Sequence, residues 1–356
     1  MLNIDILLNF AVNVSLIYMG REKIDVVIPW VDGNDPAWQA QKKQYDGIKS
    51  DDKSEARYRD WDNLQYLFRG IEKFWPWVNK VFLITCGQKP KWLNVQCEKL
   101  RLVAHADYML PEYLPTFNSG AIEINLHKIE DLNEHFIYLN DDFFPIRPLQ
   151  PMDFFVNGLP CDSAEQRTSY AYYTPQNNLI QYEDFTMLGL INACFSKRNV
   201  TRKHTKNWYG SYLGTHGVLQ ALSKAHQNFF TGFVIHHSAQ PFLKSTFQKV
   251  WDKYPDMMSQ TSRSKFRQPT DVNQWLVRYW QLAENTFHPY SMKNRILYDV
   301  SPENMEEVAN AIRRQRYDII SINDNPLLSY EGFLQTKETI NAALNDVLPN
   351  KSPFEI

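Results

Sequence analysis

Glycine is sparse in this chain, 13 residues in 356. Neither a GxGxxG nor a GxxxxGK[ST] run occurs, which argues against a dinucleotide fingerprint and against a P-loop. Cysteine is scarcer still. Cys86, Cys97, Cys161 and Cys194 include no CxxC pair, so a zinc knuckle is not expected. With no secretory signature, they are expected as reduced thiols of a cytosolic protein. Nine histidines are present without an HExxH spacing, and zinc chemistry is not expected either. No excess of one charge exists. The formal net charge of −2 supplies no basic field for nucleic acid. A long hydrophobic run is also missing. Residues 2–19 are rich in Leu, Ile and Val, but Asp5, Asn9 and Asn13 interrupt them, too polar for a spanning helix. No basic n-region marks a signal peptide. The three polar residues would share one helix face. Residues 1–20 therefore read as an amphipathic extension that packs on the fold or lies on a membrane, or as sequence ahead of a start at Met19.

What is present is ordinary globular composition, 44% hydrophobic and 22% charged, enough for a packed core. Apolar runs at 24–30, 81–85, 100–103, 136–139 and 319–322 read as strands. Between them, helical spacing is expected from Ala37, over Leu64–Phe74, around Ile122, Leu126 and Ile129, and over 271–283, 302–315 and 332–346. Residues 47–56 read as a polar loop. This alternation predicts an α/β fold with a mostly parallel sheet flanked by helices. Residues 151–235, rich in Tyr, Asn and Phe, read as an irregular or helical insertion over the sheet.

The run Phe136-Ile137-Tyr138-Leu139-Asn140-Asp141-Asp142 carries the most chemistry. A buried strand ends in an amide and two carboxylates, and ligands of open α/β sheets bind beyond the carboxyl ends of strands. Adjacent carboxylates there raise one another's pKa or share a cation. The structural reading is an Asx turn. The strand at 319–322 ends in the same way, at Asn323-Asp324-Asn325, so Asp324 is expected near Asp141 and Asp142.

At these residues the chain resembles the Stealth family of sugar-phosphate transferases. That family includes bacterial capsular polysaccharide phosphotransferases and the α/β subunit of the animal lysosomal-enzyme N-acetylglucosamine-1-phosphotransferase. Its first block resembles Ile24 to Pro36. The second runs from Arg57-Tyr58-Arg59-Asp60 through Gly87-Gln88, Trp92-Leu93 and Leu114 to Ser119, with Ala121-Ile122-Glu123 and His127, to Asp142. The third resembles His237 to Ser245 with Phe266-Arg267 and Asp271. The fourth resembles Ile322 to Asn325 and the tail Pro349 to Glu355. The chain departs at Ala239, where the family has proline, and at Gln65 and Cys86, which bears on substrate detail.

The resemblance implies transfer of a hexose or N-acetylhexosamine 1-phosphate from a UDP-sugar to a hydroxyl of a growing, lipid-linked surface polysaccharide or oligosaccharide, with UMP leaving. It implies a Rossmann-like nucleotide-sugar core over 21–150, an insertion or acceptor subdomain over 151–260, and a part completing the core over 261–356. Asp141, Asp142 and Asp324 are expected to hold Mg²⁺ or Mn²⁺. His237 is expected to take the acceptor's proton, with Asp142 the rival base and His236 a competing neighbour. Arg267 is expected on the transferred phosphate, its plain alternative being an ion pair with Asp271. Trp30, Asp32, Arg57, Asp60, Gln88, Asn118, Glu123 and Asn140 are expected around the donor. Their bland readings are core packing for Trp30, helix-terminal charge for Asp60, and a Glu123–His127 contact one turn apart. The expected location is the cytoplasm, peripheral at the inner membrane face or within a polysaccharide-assembly complex. No nucleic-acid partner is expected. Two other readings share the carboxylate pattern: a metal-dependent glycosyltransferase, which releases UDP, and a non-catalytic carbohydrate-binding protein.

Overall fold

The computed structural model describes residues 22–45, 47, 58–170, 179–325 and 327–356. The expected extension 1–20, Met19, Arg57 and most of the 47–56 loop lie outside the described residues. The main sheet has the order β3-β2-β1-β4-β8, with β1 Ile24–Pro29, β2 Val81–Thr85, β3 Leu100–Ala104, β4 His135–Tyr138 and β8 Gln240–Leu243. The first four are parallel and β8 runs antiparallel along β4.

Strand side chains alternate faces. Val26 and Ile28 of β1, Leu83 of β2 and Ile137 of β4 join one core, with Leu64, Leu67, Phe68 and Ile71 of the helix Leu64–Phe74. Val27, Phe82, Ile84, Phe136 and Tyr138 join another, with Leu276 and Val277 of the helix Gln274–Glu284. Two covered faces explain why these strands read as continuous apolar runs rather than alternating ones.

From β4 the chain passes through Asn140, Asp141 and Asp142 directly into β5, Phe143–Pro145. A second sheet has the order β10-β11-β5, with β10 Arg295–Val300 and β11 Ile319–Asp324. Ser321 of β11 is in register with Phe143. The carboxylate run is therefore where the chain leaves one sheet and enters the next. A third, small sheet joins β6 Phe155–Val156, β7 Leu159–Asp162 and β9 His288–Pro289. Asn157 and Gly158, at φ of 52° and 75°, close the β6–β7 hairpin with the positive angles that a two-residue turn demands.

The structure revises several local expectations. Helices cover Pro36–Lys43, Leu64–Phe74, Gln274–Glu284, Met305–Arg313 and Tyr330–Val347, close to the expected spans. The helix expected around residues 122–129 is broken into Ser119–Glu123 and a 3₁₀ turn, Leu126–Lys128. Asn125 donates to the Ala121 carbonyl at 2.7 Å, and such side-chain bonding competes with helix continuation. The segment expected to be an irregular or helical insertion carries helices over Leu179–Cys194, Lys197–Lys203, Thr205–Tyr209 and Gly214–Ser223. Within the span 151–260, β8 pairs with β4 of the main sheet. Pro241 disguises β8 in sequence. Proline lacks a ladder donor and is confined to edges, which is where β8 lies. β10 is masked differently, its side chains alternating between buried and exposed. The four cysteines are free. No helix among the described residues is long and apolar enough to cross a membrane.

Candidate active site

Four expected site residues converge where β4, β5 and β11 meet. The Ile322 amide donates to the Asp142 carbonyl at 3.0 Å, which lays the two Asn-Asp runs side by side. The extended segment before β8 brings His237 over them. Its carbonyl accepts from Ser321 Oγ at 2.7 Å, and its ring meets Phe143 edge-on at 4.9 Å. His237 Nε2 then stands 3.9 Å from Asp142 Oδ2. Arg267 is close enough to act electrostatically on both His237 and Glu123.

Water reaches the carboxylates, since Asp141 is exposed and Asp142 half-buried. Both nevertheless lie on a floor crowded by protein. Burial, and then the charge of Asp60, push Asp141 up to about 6. Burial and the Asp141 charge push Asp142 well above the usual carboxylate range. Asp60 moves in the same direction, chiefly through burial. Burial lowers His237 to about 4, Asp299 opposing and Arg267 reinforcing the shift. The His237–Asp142 contact is thus a neutral imidazole beside a carboxyl group that resists ionisation, longer than a hydrogen bond. Raised carboxylates clustered with a neutral histidine are the pattern of a functional cleft.

Asp324 has another partner. Arg59 Nε sits 2.9 Å from its Oδ2, and Arg59 also donates to the Asn325 carbonyl at 3.2 Å. Burial raises Asp324 to about 6 while Arg59 opposes it. Among the described residues no group of three or more His, Cys, Asp or Glu is gathered to hold a metal ion. Magnesium does not require one, since it is commonly held by one or two carboxylates and the substrate's phosphates. Asp142 Oδ1 is buried with no hydrogen-bond partner, an orphaned acceptor of the kind a cation would satisfy.

Other expected donor-site residues make contacts that hold the surrounding loops and helices. Gln88 spans the loops after β1 and β2. It accepts from the Asp32 amide at 2.8 Å and donates to the Asp32 carbonyl at 3.0 Å and Asp35 Oδ2 at 2.9 Å. Asp32 itself accepts from the Asn34 amide at 2.9 Å, and Asp35 caps the helix Pro36–Lys43 through the Ala37 amide at 2.8 Å. Gly33 packs against this loop pair, and a Cβ there would lie 2.1 Å from the Tyr58 carbonyl oxygen. We expect Gln88→Ala to cost about 1–2 kcal/mol, the net worth of one or two such bonds. The donor KM should rise with the drop in melting temperature. An unchanged melting curve would show that Gln88 does not hold the loops.

Trp30 is half-buried against the core. Asn118 caps the helix Ser119–Glu123 and donates to Asp271 Oδ2 at 2.9 Å, wholly buried. Glu123 accepts from the Tyr138 hydroxyl at 3.0 Å, while Arg267 donates to Ser119 Oγ. His127 packs between the rings of Phe247 and Trp251. Asn140 accepts from the Phe143 amide at 3.2 Å through its backbone carbonyl, a backbone turn rather than a side-chain Asx turn. Asp60 accepts from the Asp62 amide at 2.7 Å. His236 faces away from His237, with Nε2 3.8 Å from Glu165. Arg59 and Tyr138 join the site although sequence reasoning gave them no role. Both lie inside the Arg57–Asp60 and Tyr138–Asp142 runs, the only signal that marked them.

Residues 22–50, 57–161 and 236–283 match the family models for Stealth protein conserved regions 1, 2 and 3. Every residue of the cleft except Asp324 and its strand falls within them. The chain is 37% identical over 340 residues to the receptor polysaccharide phosphotransferase WefC of Streptococcus gordonii, covering 94% of this chain and 99% of that one. It is 34% identical over 339 residues to the capsular polysaccharide phosphotransferase WcwK of Streptococcus pneumoniae, at 94% and 99% coverage. It is 36% identical over 342 residues to the exopolysaccharide phosphotransferase cps2G of Lactiplantibacillus plantarum, at 94% and 97%.

Proposed function

The chain belongs to the Stealth family and is a transferase enzyme of the phosphotransferase type, and on that premise we propose that it moves a sugar 1-phosphate from a UDP-sugar to a hydroxyl of a growing surface polysaccharide. The observation that carries this reading is the orphaned Oδ1 of Asp142 beside a neutral His237 at the junction of two sheets. The parallel order β3-β2-β1-β4 supports a Rossmann-like nucleotide-sugar core. Its strand order reverses between β1 and β4, the place where such sheets take their ligand.

In this reading the acceptor oxygen forms a bond to the sugar-bearing phosphorus. The bond from that phosphorus to the bridging oxygen breaks, and UMP carries that oxygen away. The acceptor's proton passes to His237, whose neutral imidazole is free to take it. The donor's own negative charge raises the basicity of that ring as the complex forms. Arg267 steadies the transferred phosphate. Asp141 and Asp142 would hold Mg²⁺ or Mn²⁺, which when bound neutralises diphosphate charge and favours departure of UMP. Asp324, whose two carboxylate oxygens are also buried without a hydrogen-bond partner among the described residues, is the third expected ligand and stands beside Arg59. A cytoplasmic, membrane-peripheral location suits a lipid-linked acceptor.

The test is to incubate the enzyme with a panel of UDP-hexoses and UDP-N-acetylhexosamines, acceptor and Mg²⁺ or Mn²⁺, and to identify the released nucleotide. Acceptor-dependent UMP supports the reading. UDP alone would mean that the glycosidic bond breaks, the reaction of a glycosyltransferase, and would overturn it.

A further inference from the structure

The chain is nearly neutral overall, yet its charge is segregated. From Phe185 to Trp251 the sequence contains no Asp or Glu, while Lys197, Arg198, Arg202, Lys203, Lys206 and Lys224 fall within that stretch. The helices there leave large apolar groups in solvent. Leu219 and Leu222 of the helix Gly214–Ser223 are 61% and 54% exposed, and Phe229 is 63% exposed. Leu219 and Leu222 lie three residues apart, on one face. Gly217 and Ala221, on the opposite face, are buried.

These groups form one surface. Lys197 donates its ammonium to the Lys224 carbonyl at 2.7 Å and its amide to the Asn228 carbonyl at 3.0 Å. The start of the helix Lys197–Lys203 is thereby tied to the end of the helix that bears Leu219 and Leu222. Arg198 and Phe229 line the same open cavity, of about 380 Å³, with Ser196, Asn199 and Asn228. Arg198 and Arg202 are exposed and one helical turn apart, so both stand on the face of that helix that borders the cavity through Arg198.

We propose that this face of the insertion docks on an anionic phospholipid bilayer. Basic side chains beside exposed Leu and Phe suit an interface with negative headgroups above and hydrocarbon below. The cavity at Arg198 is the seat for a headgroup phosphate. A soluble polyanion would use the basic residues but leave Leu219, Leu222 and Phe229 in water, and for that reason the bilayer is the better partner. The inference makes no use of the donor or of the bond broken.

The experiment is cosedimentation of the full chain with phosphatidylglycerol/phosphatidylcholine vesicles and with phosphatidylcholine alone, at about 0.1 M salt, where the screening length is ~10 Å. Each Lys or Arg near such a surface is worth about fivefold in binding. The wild type should therefore prefer anionic vesicles by at least about tenfold. Arg198→Glu with Arg202→Glu should remove that preference. Leu219→Ser with Phe229→Ser should weaken binding by about tenfold. Both double variants should keep the wild-type melting temperature and nucleotide release with a water-soluble acceptor, which separates failure here from failure of the catalytic reading. Wild-type affinity in either double variant, or no vesicle binding by the wild type, overturns the proposal. So would loss of binding in the arginine pair alone, with dextran sulfate bound equally by the Leu219/Phe229 variant, since that describes a polyanion site.

Discussion

Replacing Asp142 by Asn, or Asp141 by Asn, is expected to abolish most turnover and to make the protein more stable at neutral pH. The activity loss should be about 10²–10³ or more, the effect of removing one preorganised electrostatic group from a transition-state site. The gain in stability follows from the direction of the pKa shifts. Both carboxyls are raised above their unfolded value, Asp141 to about 6. The folded protein therefore holds these protons more tightly than the unfolded chain does. Their stabilising contribution is complete below the unfolded pKa and is lost as pH rises through the folded one. At pH 7.5, where the unfolded chain ionises both groups freely and the folded protein resists doing so, they are a net cost, and an amide of the same shape removes it. The melting temperature should climb by a few degrees, as when a strained functional site is neutralised. At pH 4 the difference between variant and wild type should shrink. Mg²⁺ or Mn²⁺ should raise the wild-type melting temperature at pH 7.5 and leave that of Asp142→Asn unmoved, a readout independent of turnover. Full activity in both variants, or lower stability at pH 7.5, would sink the assignment.

His237→Ala is expected to lower kcat by about 10²–10⁴, the usual worth of a positioned base, with little change in fold because the ring is partly exposed. The pH profile separates its role from that of Asp141. With limiting metal, activity should fall below about pH 6 as Asp141 takes a proton, because a ligand must be ionised to bind. Saturating metal should push this limb to lower pH. The limb then left belongs to His237, which sits near 4 rather than at the ordinary histidine value. Stability carries the matching sign. A histidine whose folded pKa is depressed contributes stability above its unfolded pKa that is lost as pH falls toward the folded one. Between about pH 6.5 and 4 the wild type should therefore lose more stability than His237→Ala does. If His237→Ala keeps wild-type kcat, with its acid limb in place at saturating metal, the base lies elsewhere, and Asp142 becomes the candidate.

Much of the framework was legible without coordinates. The strands at Ile24–Pro29, Val81–Thr85 and Ile319–Asp324 stand out because each has an apolar face on both sides or a long apolar start. Leu64–Phe74 stands out through its helical spacing. Asn140-Asp141-Asp142 is visible because polar residues ending a buried strand must have a reason to be there. The long blocks from Ile24 to Asp142 identify the family by themselves. Elements that depend on distant partners were hidden. Gln240–Leu243 contains a proline and becomes a strand only because β4 offers it an edge. The helix expected around residues 122–129 breaks because Asn125 finds the Ala121 carbonyl and Ser262.

The sequence by itself determined the composition of the site: carboxylates at two strand ends, paired histidines, and the arginines of the family blocks. Only the tertiary structure decided which groups each of them faces. His236 and His237 are equivalent by spacing. Neighbours in an extended chain point to opposite sides, so register against Ser321 and Phe143 turns His237 to Asp142 and His236 to Glu165. Asp324 matches Asp141 in local context, yet only Asp324 has Arg59, 265 residues earlier, as an ion-pair neighbour. Gln88 is expected near the donor from sequence, and only the structure shows that it also bonds two loops together. In each case the deciding partner lies far along the chain. A side chain's role follows from which groups burial leaves it to satisfy, and folding alone sets that.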